Sequence, residues 1–263
     1  MLTIKNYVRP QTIDEAYNLC QKKSNVVLGG MLWLKMQNRS VDTAIDLCDL
    51  GLDKIIEEEN CYRIGAMVSL REIENNKNLN DMTQGAFADA VKHIVGVQFR
   101  NCATVGGSLY GRFGFSDVLT LFEVLDAKVC LYNKGVMDIR EFAKLPRNTK
   151  DILTEVIVPK KNMKVAYLSQ RNTATDFPVV ACAVSYIDGK YTCSVGARPG
   201  TAIAFDDETG ILSEGITSES ADAFGKEIAN RATFGSNMRG SAEYRKKVCE
   251  VLVRRALTIL KEE

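Results

Sequence analysis

Apolar positions change period along this chain, and the changes divide it into elements. Over residues 11–23 (QTIDEAYNLCQKK), Ile13, Ala16, Tyr17 and Cys20 recur at three- and four-residue steps behind Thr12. That spacing predicts a helix capped by the threonine. A short apolar run over 25–28 predicts a strand running into Gly29-Gly30, and TAIDLCDL predicts a second buried strand. The βαβ-like order fits a small parallel sheet. CYRIGAMVSLREIE predicts a strand, a turn at Gly65-Ala66 and a helix opening at Ser69, and a further helix is expected over 86–94. Ser116 is placed to cap a helix over 117–126 whose Val118, Leu121, Phe122 and Leu125 face inward. KVCLY and VMDI pair as a hairpin about Asn133-Lys134-Gly135, and ILTEVIVP reads as a strand ended by Pro159.

A polar break follows at Pro159-Lys160-Lys161-Asn162, where the domain boundary is expected. Beyond it, VVACAVSYIDGKYTCSVGARP alternates on both sides of Asp188-Gly189, a pair suited to a type I′ hairpin turn. Two helices are predicted to close the chain. One begins near Ser218; the other begins at Ser241 and buries Val248, Val251, Leu252, Leu257 and Leu260. The predicted class is α+β, with residues 160–263 forming a small α+β domain.

Composition narrows the function more than the fold. The 263 residues carry 34 basic and 33 acidic side chains, a net charge of +1. Nucleic acid or an anionic membrane would call for a concentrated basic excess, so neither is expected as a partner. MLTIKNYVRP lacks a charged-then-apolar leader and no stretch is apolar enough to span a bilayer, which reads as a cytoplasmic protein. The eight cysteines (20, 48, 61, 102, 130, 182, 193 and 249) include no C-x-x-C pair, and most sit in apolar runs as small core residues. With His93 as the single histidine, neither a His-based zinc site nor a Ser-His-Asp triad is supplied, and no metal site or catalytic residue is assigned. Chemistry here would come from something bound.

VVLGGMLWL and ATVGGSLYG share a feature that binds. In both, an apolar strand is expected to end in two glycines, whose backbone reaches conformations closed to other residues. Successive N–H groups can then converge on phosphate oxygens as a nest. A single Gly-Gly pair usually just reverses the chain; two of them, each leaving an apolar strand and entering an apolar segment, strengthen the case for a diphosphate clamp. Neither matches G-x-G-x-x-G or the Gly-Lys-Ser/Thr ending of a P-loop, so a dinucleotide would be held by another fold.

The segments that carry these turns resemble a known family. VVLGGMLWL is similar to the first phosphate loop of the FAD-binding medium subunits of molybdenum hydroxylases, of the xanthine dehydrogenase and carbon monoxide dehydrogenase type. QFRNCATVGGSLYGRFGFSDVLTLFEVLDAKV resembles their second motif, and RIGAMVSLREIE, DILTEVIVP and RGSAEYRKKVCEVLVRRAL resemble three further segments. The resemblance runs nearly end to end. It implies a two-part FAD-binding fold over residues 1–159, a small parallel α/β lobe (about 1–55) and a larger mixed or antiparallel sheet lobe (56–159), ahead of the C-terminal domain. It also implies site residues. Val27, Leu28, Gly29, Gly30, Met31 and Leu32 would wrap the diphosphate and ribityl region, and Thr104, Gly106, Gly107 and Ser108 would form the second clamp. Asp117 would bind a ribose hydroxyl, and Ile94, Leu153 and Leu168 would border the isoalloxazine ring. Met31 stands where a hydroxyl residue is usual, Ser108 where Asn is common, Gly114 where a proline is usual and Leu168 where Lys is frequent, which points to weaker FAD binding.

By the same resemblance the chain is an electron-transfer subunit. A molybdopterin-binding large subunit and a 2Fe-2S small subunit would be its partners, and NAD⁺ or another acceptor would take the electrons. Two rivals stay open at this point. A stand-alone flavin oxidoreductase of the same fold would need a substrate pocket, which Tyr110, Arg112 and Tyr167 could line. A flavin-free assembly subunit would explain the changes at Met31, Ser108 and Gly114.

Overall fold

A computed structural model of the chain describes residues 1–262. Two compact units emerge: Met1–Glu72 with Val97–Gly111 and Ala127–Pro159, and Ile73–Gly96 with Arg112–Asp126 and Lys160–Glu263. The division by compactness thus differs from a cut at Pro159, because two stretches of the N-terminal part join the second unit.

The first unit holds two sheets. In the smaller, β1 (Thr3–Val8), β3 (Ser40–Asp46) and β2 (Val26–Leu28) lie side by side, all parallel. The central strand buries Val41, Ala44 and Ile45, as a parallel strand covered on both faces should. Helix α1 (Ile13–Cys20) covers this sheet. Thr12 accepts the Glu15 N–H at its start, and Ala16 and Cys20 pack with Ile45 and Leu47. The larger sheet is antiparallel, in the order β4 (Ile55–Glu57), β5 (Cys61–Gly65), β8 (Leu153–Pro159), β6 (Lys128–Leu131), β7 (Gly135–Asp138). Short helices α5 (Val97–Cys102), α6 (Val105–Tyr110) and α8 (Ile139–Lys144) complete the unit, and α2 (Leu70–Asn75) begins in it.

The second unit is built on an antiparallel meander of β9 (Met163–Arg171), β10 (Pro178–Ile187), β11 (Lys190–Gly196) and β12 (Ile203–Asp206). Asp188 and Gly189 both take positive φ, 50° and 84°, which is the type I′ turn the sequence calls for. Helices α9 (Ser218–Arg231) and α10 (Ala242–Glu262) cover one face, burying Phe224, Ile228, Leu252, Leu257 and Leu260 against Cys182, Val184 and Val195. Helices α4 (Ala86–Val91) and α7 (Asp117–Phe122) lie on the other, and α3 (Lys77–Met82) precedes them. That packing explains why residues 73–96 and 112–126 leave the first unit. The architecture is α+β, with one parallel sheet and two antiparallel ones among the described residues, as expected.

Candidate functional site

The first glycine turn leaves β2 at Leu28 and bends through residues in the left-handed region. Gly30 has φ of 81° and Met31 φ of 63°. That conformation costs a residue with a side chain about 1–2 kcal/mol, so Met31 sits there against its own preference. The turn then closes into a single 3₁₀ turn over Leu34–Met36, with the Lys35 N–H donating to the Met31 carbonyl at 2.9 Å. Among the described residues, the N–H groups of Gly30, Met31 and Leu32 meet no acceptor. Three successive half-buried donors left open in a left-handed bend are what a nest for an anionic oxygen requires.

The second glycine pair is built differently. The expected strand is absent; α5 and α6 flank residues 103–104, and Gly106-Gly107 lie in the first turn of α6. Thr104 caps that helix, accepting the Gly107 N–H at 3.1 Å. The Gly106 N–H donates to Ala66 at 2.8 Å, Val105 to Val68 at 2.9 Å and Ser108 to Thr104 at 3.0 Å. Every one of these donors is therefore already engaged. A threonine three residues ahead of a helical N–H is a capping pattern, and reading T-V-G-G that way would have found the helix.

The second pair acts through its missing side chains. A Cβ on Gly106 would come within 2.7 Å of the Ala66 carbonyl oxygen, and one on Gly107 within 2.8 Å of the Gly29 carbonyl oxygen. A Cβ on Gly29 would lie 2.9 Å from the Gly107 Cα, and one on Gly30 2.9 Å from the Cys102 carbonyl carbon. The two glycine pairs pack backbone against backbone, and the start of α6 braces the open turn. Trp33 and Phe99 meet nearby with ring centroids 5.3 Å apart. So the two turns do come together, with one as the nest and the other as its support. Val27 and Leu28 lie on β2, and Leu153 is buried on β8 opposite Leu131.

Ile94, Asp117 and Leu168 belong to the second unit. Asp117 opens α7 behind the Ser116 cap, only 4 % exposed. Its Oδ1 accepts from the Arg171 guanidinium at 2.6 Å and from the Tyr167 hydroxyl. Burial pushes the Asp117 carboxyl up from its usual range, and Arg171 and Tyr167 pull it back. The Tyr167 hydroxyl is held well above its ordinary value by burial and by the adjacent carboxylate. Leu168 points the other way, against the core under α9 and α10, while Tyr167 and Arg171 share the face that meets α7. Leu168 is thus not brought together with Asp117, because adjacent strand residues face opposite sides. Ile94 is half-buried just after α4, its N–H on the Val91 carbonyl at 2.8 Å.

The side chains considered for a substrate pocket have other tasks. Tyr110 donates to the Thr149 carbonyl at 2.9 Å and accepts the Asp151 N–H at 3.0 Å. Arg112 is buried, and Tyr167 is committed to Asp117. Five cysteines are buried and Cys48 and Cys102 are exposed. Among the described residues no three His, Cys, Asp or Glu side chains gather as a metal site would need, and no helix is long and apolar enough to cross a membrane.

Two observations bear on whether a dinucleotide such as FAD fits these residues. The nest at Gly30, Met31 and Leu32 offers three donors to a phosphate. In the second unit, both donors to Asp117 land on Oδ1, and Oδ2 accepts from nothing among the described residues, leaving an acceptor for a sugar hydroxyl. The donor and acceptor types suit a diphosphate and a ribose.

Comparison with known proteins agrees with this chemistry. Residues 2–161 match the family described as the FAD binding domain in molybdopterin dehydrogenase, and residues 166–260 match the CO dehydrogenase flavoprotein C-terminal domain. The chain is 26 % identical over 274 residues to the nicotine 6-hydroxylase medium subunit of Paenarthrobacter nicotinovorans, covering 95 % of each. It is 22 % identical over 271 residues to the glyceraldehyde dehydrogenase medium chain of Sulfolobus acidocaldarius, covering 95 % of this chain and 96 % of that one. Among solved structures, a chain of the cyanide-inactivated Cu,Mo-CO dehydrogenase superposes with a TM-score of 0.88 at 23 % identity, covering 100 % of this chain and 99 % of that one.

Proposed function

This chain belongs to the family of the FAD binding domain in molybdopterin dehydrogenase, and from that premise we propose that it is the electron-transfer subunit of a cytoplasmic molybdenum hydroxylase complex of the xanthine dehydrogenase type. Its partners in this reading are a molybdopterin-binding large subunit and a 2Fe-2S small subunit, and NAD⁺ takes the electrons. Support for the division of labour comes from relatives named as medium subunits and medium chains that match along nearly their whole length.

The observation that carries the reading is the open turn at Gly30, Met31 and Leu32, held in a left-handed bend by glycines packed against the start of α6. FAD, when bound, supplies two-electron oxidation and reduction that no side chain here provides. The chain's own part is to bind and orient. Main-chain N–H groups would hydrogen-bond a phosphate without a cationic side chain, Asp117 would accept from a hydroxyl, and the packed glycines would keep the nest from collapsing.

Purifying the chain and recording its visible absorption tests the reading. A bound flavin that NADH bleaches anaerobically, without partner subunits, supports electron transfer to the nicotinamide couple. A flavoprotein that turns over an organic substrate on its own would favour the stand-alone oxidoreductase. A colourless chain that refuses added FAD would favour the assembly subunit.

A further inference from the structure

The carboxylate of Asp117 is held in a way that its position at a helix start does not require. Tyr167 and Arg171 stand four residues apart on β9, on the same face, and both donate to Oδ1. The Arg171 guanidinium is itself fixed on three sides: Nε donates to the Ser169 hydroxyl at 3.1 Å, Nη1 to the Asp176 carbonyl at 2.6 Å and Nη2 to Asp117 at 2.6 Å. The paired side chains are only 6 % and 5 % exposed. Buried ion pairs this well anchored fix a geometry more reliably than they add stability. Here the geometry leaves one oxygen, Oδ2, with no donor among the described residues.

We propose that Arg171 and Tyr167 are positioning residues for the flavin nucleotide: by occupying Oδ1 they present Oδ2 of Asp117 as a single, ionised acceptor for a ribose hydroxyl of FAD. This rests on the flavin reading above and adds two residues to it. Arg171 sets the charge state and Tyr167 the orientation. Without the guanidinium, the largest influence opposing burial is gone and the carboxyl is pushed further up, toward its protonated form, which is a poorer acceptor. The other groups facing Asp117 do not replace Arg171. His93, following α4, is held below its usual value by burial and then by Arg171 and Lys92, so it is neutral near pH 7; Asp89 lies beyond it. Asp176 is engaged by Arg239 at 3.1 Å, and Glu123 ends α7 itself. The facing sides of β10 and β11 carry Ala181, Ala183, Ser185, Thr192 and Ser194, none of which titrates.

The test is the FAD dissociation constant of the full chain, stripped of flavin and titrated by flavin fluorescence from pH 6 to pH 9. Asp117→Asn should weaken FAD roughly ten- to a hundredfold at every pH, the loss of one charge-assisted hydrogen bond. Arg171→Met should lose most affinity at the acid end of the range and recover it as the pH rises and Asp117 ionises. Arg171→Lys should restore most of the binding, and Tyr167→Phe should cost only a few-fold with no pH dependence. The double variant Asp117→Asn/Arg171→Met removes the buried charge together with its partner, so it is the version most tolerant of the change. It should bind FAD as Asp117→Asn does, and this comparison decides the matter if Arg171→Met alone does not fold. Wild-type affinity for Arg171→Met across the pH range, or a double variant weaker than Asp117→Asn, would overturn the proposal while leaving the flavin reading intact. A wild-type chain that binds no FAD at any pH would overturn both.

Discussion

Replacing Gly30 with alanine asks the chain to accommodate one methyl group at the tightest point of the first turn. Two costs arise from separate features. The φ of 81° puts an L-residue in the left-handed region, which costs about 1–2 kcal/mol. The new Cβ would lie 2.9 Å from the Cys102 carbonyl carbon, overlap its oxygen and sit 3.4 Å from the Ala103 Cα. All three obstacles are backbone, so α5 and the turn would have to separate, at a further cost of about 1–3 kcal/mol as for other overpacked sites. The sum is about 2–5 kcal/mol, or roughly 4–20 °C in melting temperature for a unit of this size. Gly135 supplies the control. Its φ of 75° is nearly the same, but nothing lies within 4 Å of an added Cβ, so Gly135→Ala should lose only the conformational part, about 1–2 kcal/mol. Urea unfolding followed by circular dichroism measures both variants. FAD titration then reports the nest, since parting the turn from the end of α5 displaces the Met31 and Leu32 N–H groups and should weaken FAD about tenfold or more. A Gly30→Ala protein as stable as Gly135→Ala, with unchanged FAD affinity, would show that the close approach of Gly30 to Cys102 and Ala103 does not shape the site.

Other consequences concern the second unit. His93 has its folded value pulled below its unfolded one, about 6.5, by burial and by the neighbouring Arg171 and Lys92 charges. The folded state therefore binds fewer protons than the unfolded one. The contribution is fully present above about pH 6.5 and is lost as the pH falls through the lowered value, so unfolding free energy should drop on acidification and His93→Gln should flatten that slope. Arg245 is fully buried on α10 and donates to the carbonyls of Val179 and Gly235 and to the Asn237 side chain, at 2.9, 2.7 and 2.6 Å. Arg245→Met strands those acceptors and should cost about 3 kcal/mol or more. It should also expose the adjoining loop to trypsin at Arg239; unchanged stability together with unchanged resistance would contradict the anchor. Thr217→Ala removes half of a capping box in which Ser220 answers at 2.9 Å, and should lower stability by about 1 kcal/mol with no change in the urea slope.

The elements that announce themselves locally were readable from residue pattern alone. Thr12, Ser116 and Ser241 mark helix starts by their own hydroxyls, and Asp188-Gly189 marks its hairpin because few other pairs adopt two positive φ angles. What escaped is set by tertiary contact. β1 is an edge strand with mostly exposed residues, so its apolar pattern is weak. The VGG segment reads as a strand by composition, yet Thr104 and the close approach of Ala66 and Gly29 make it a helix start. The same contact changes the meaning of the glycines. Four glycines look alike in sequence, but one pair frees donors and the other lacks side chains so that its partner can pack. Asp117 was visible as a helix-opening carboxylate. Its hold by Tyr167 and Arg171 was not, because those residues lie fifty and more positions away and meet it only once β9 packs on α7.

Whether this chain holds FAD is read from its flavin content. The chain is expressed alone, purified, and its visible spectrum recorded before and after denaturation, with the released flavin quantified against protein. The expected result is the spectrum of an oxidised flavin and up to one FAD per chain, restored by added FAD where some is lost. A folded, colourless chain that takes up no FAD on addition would contradict it.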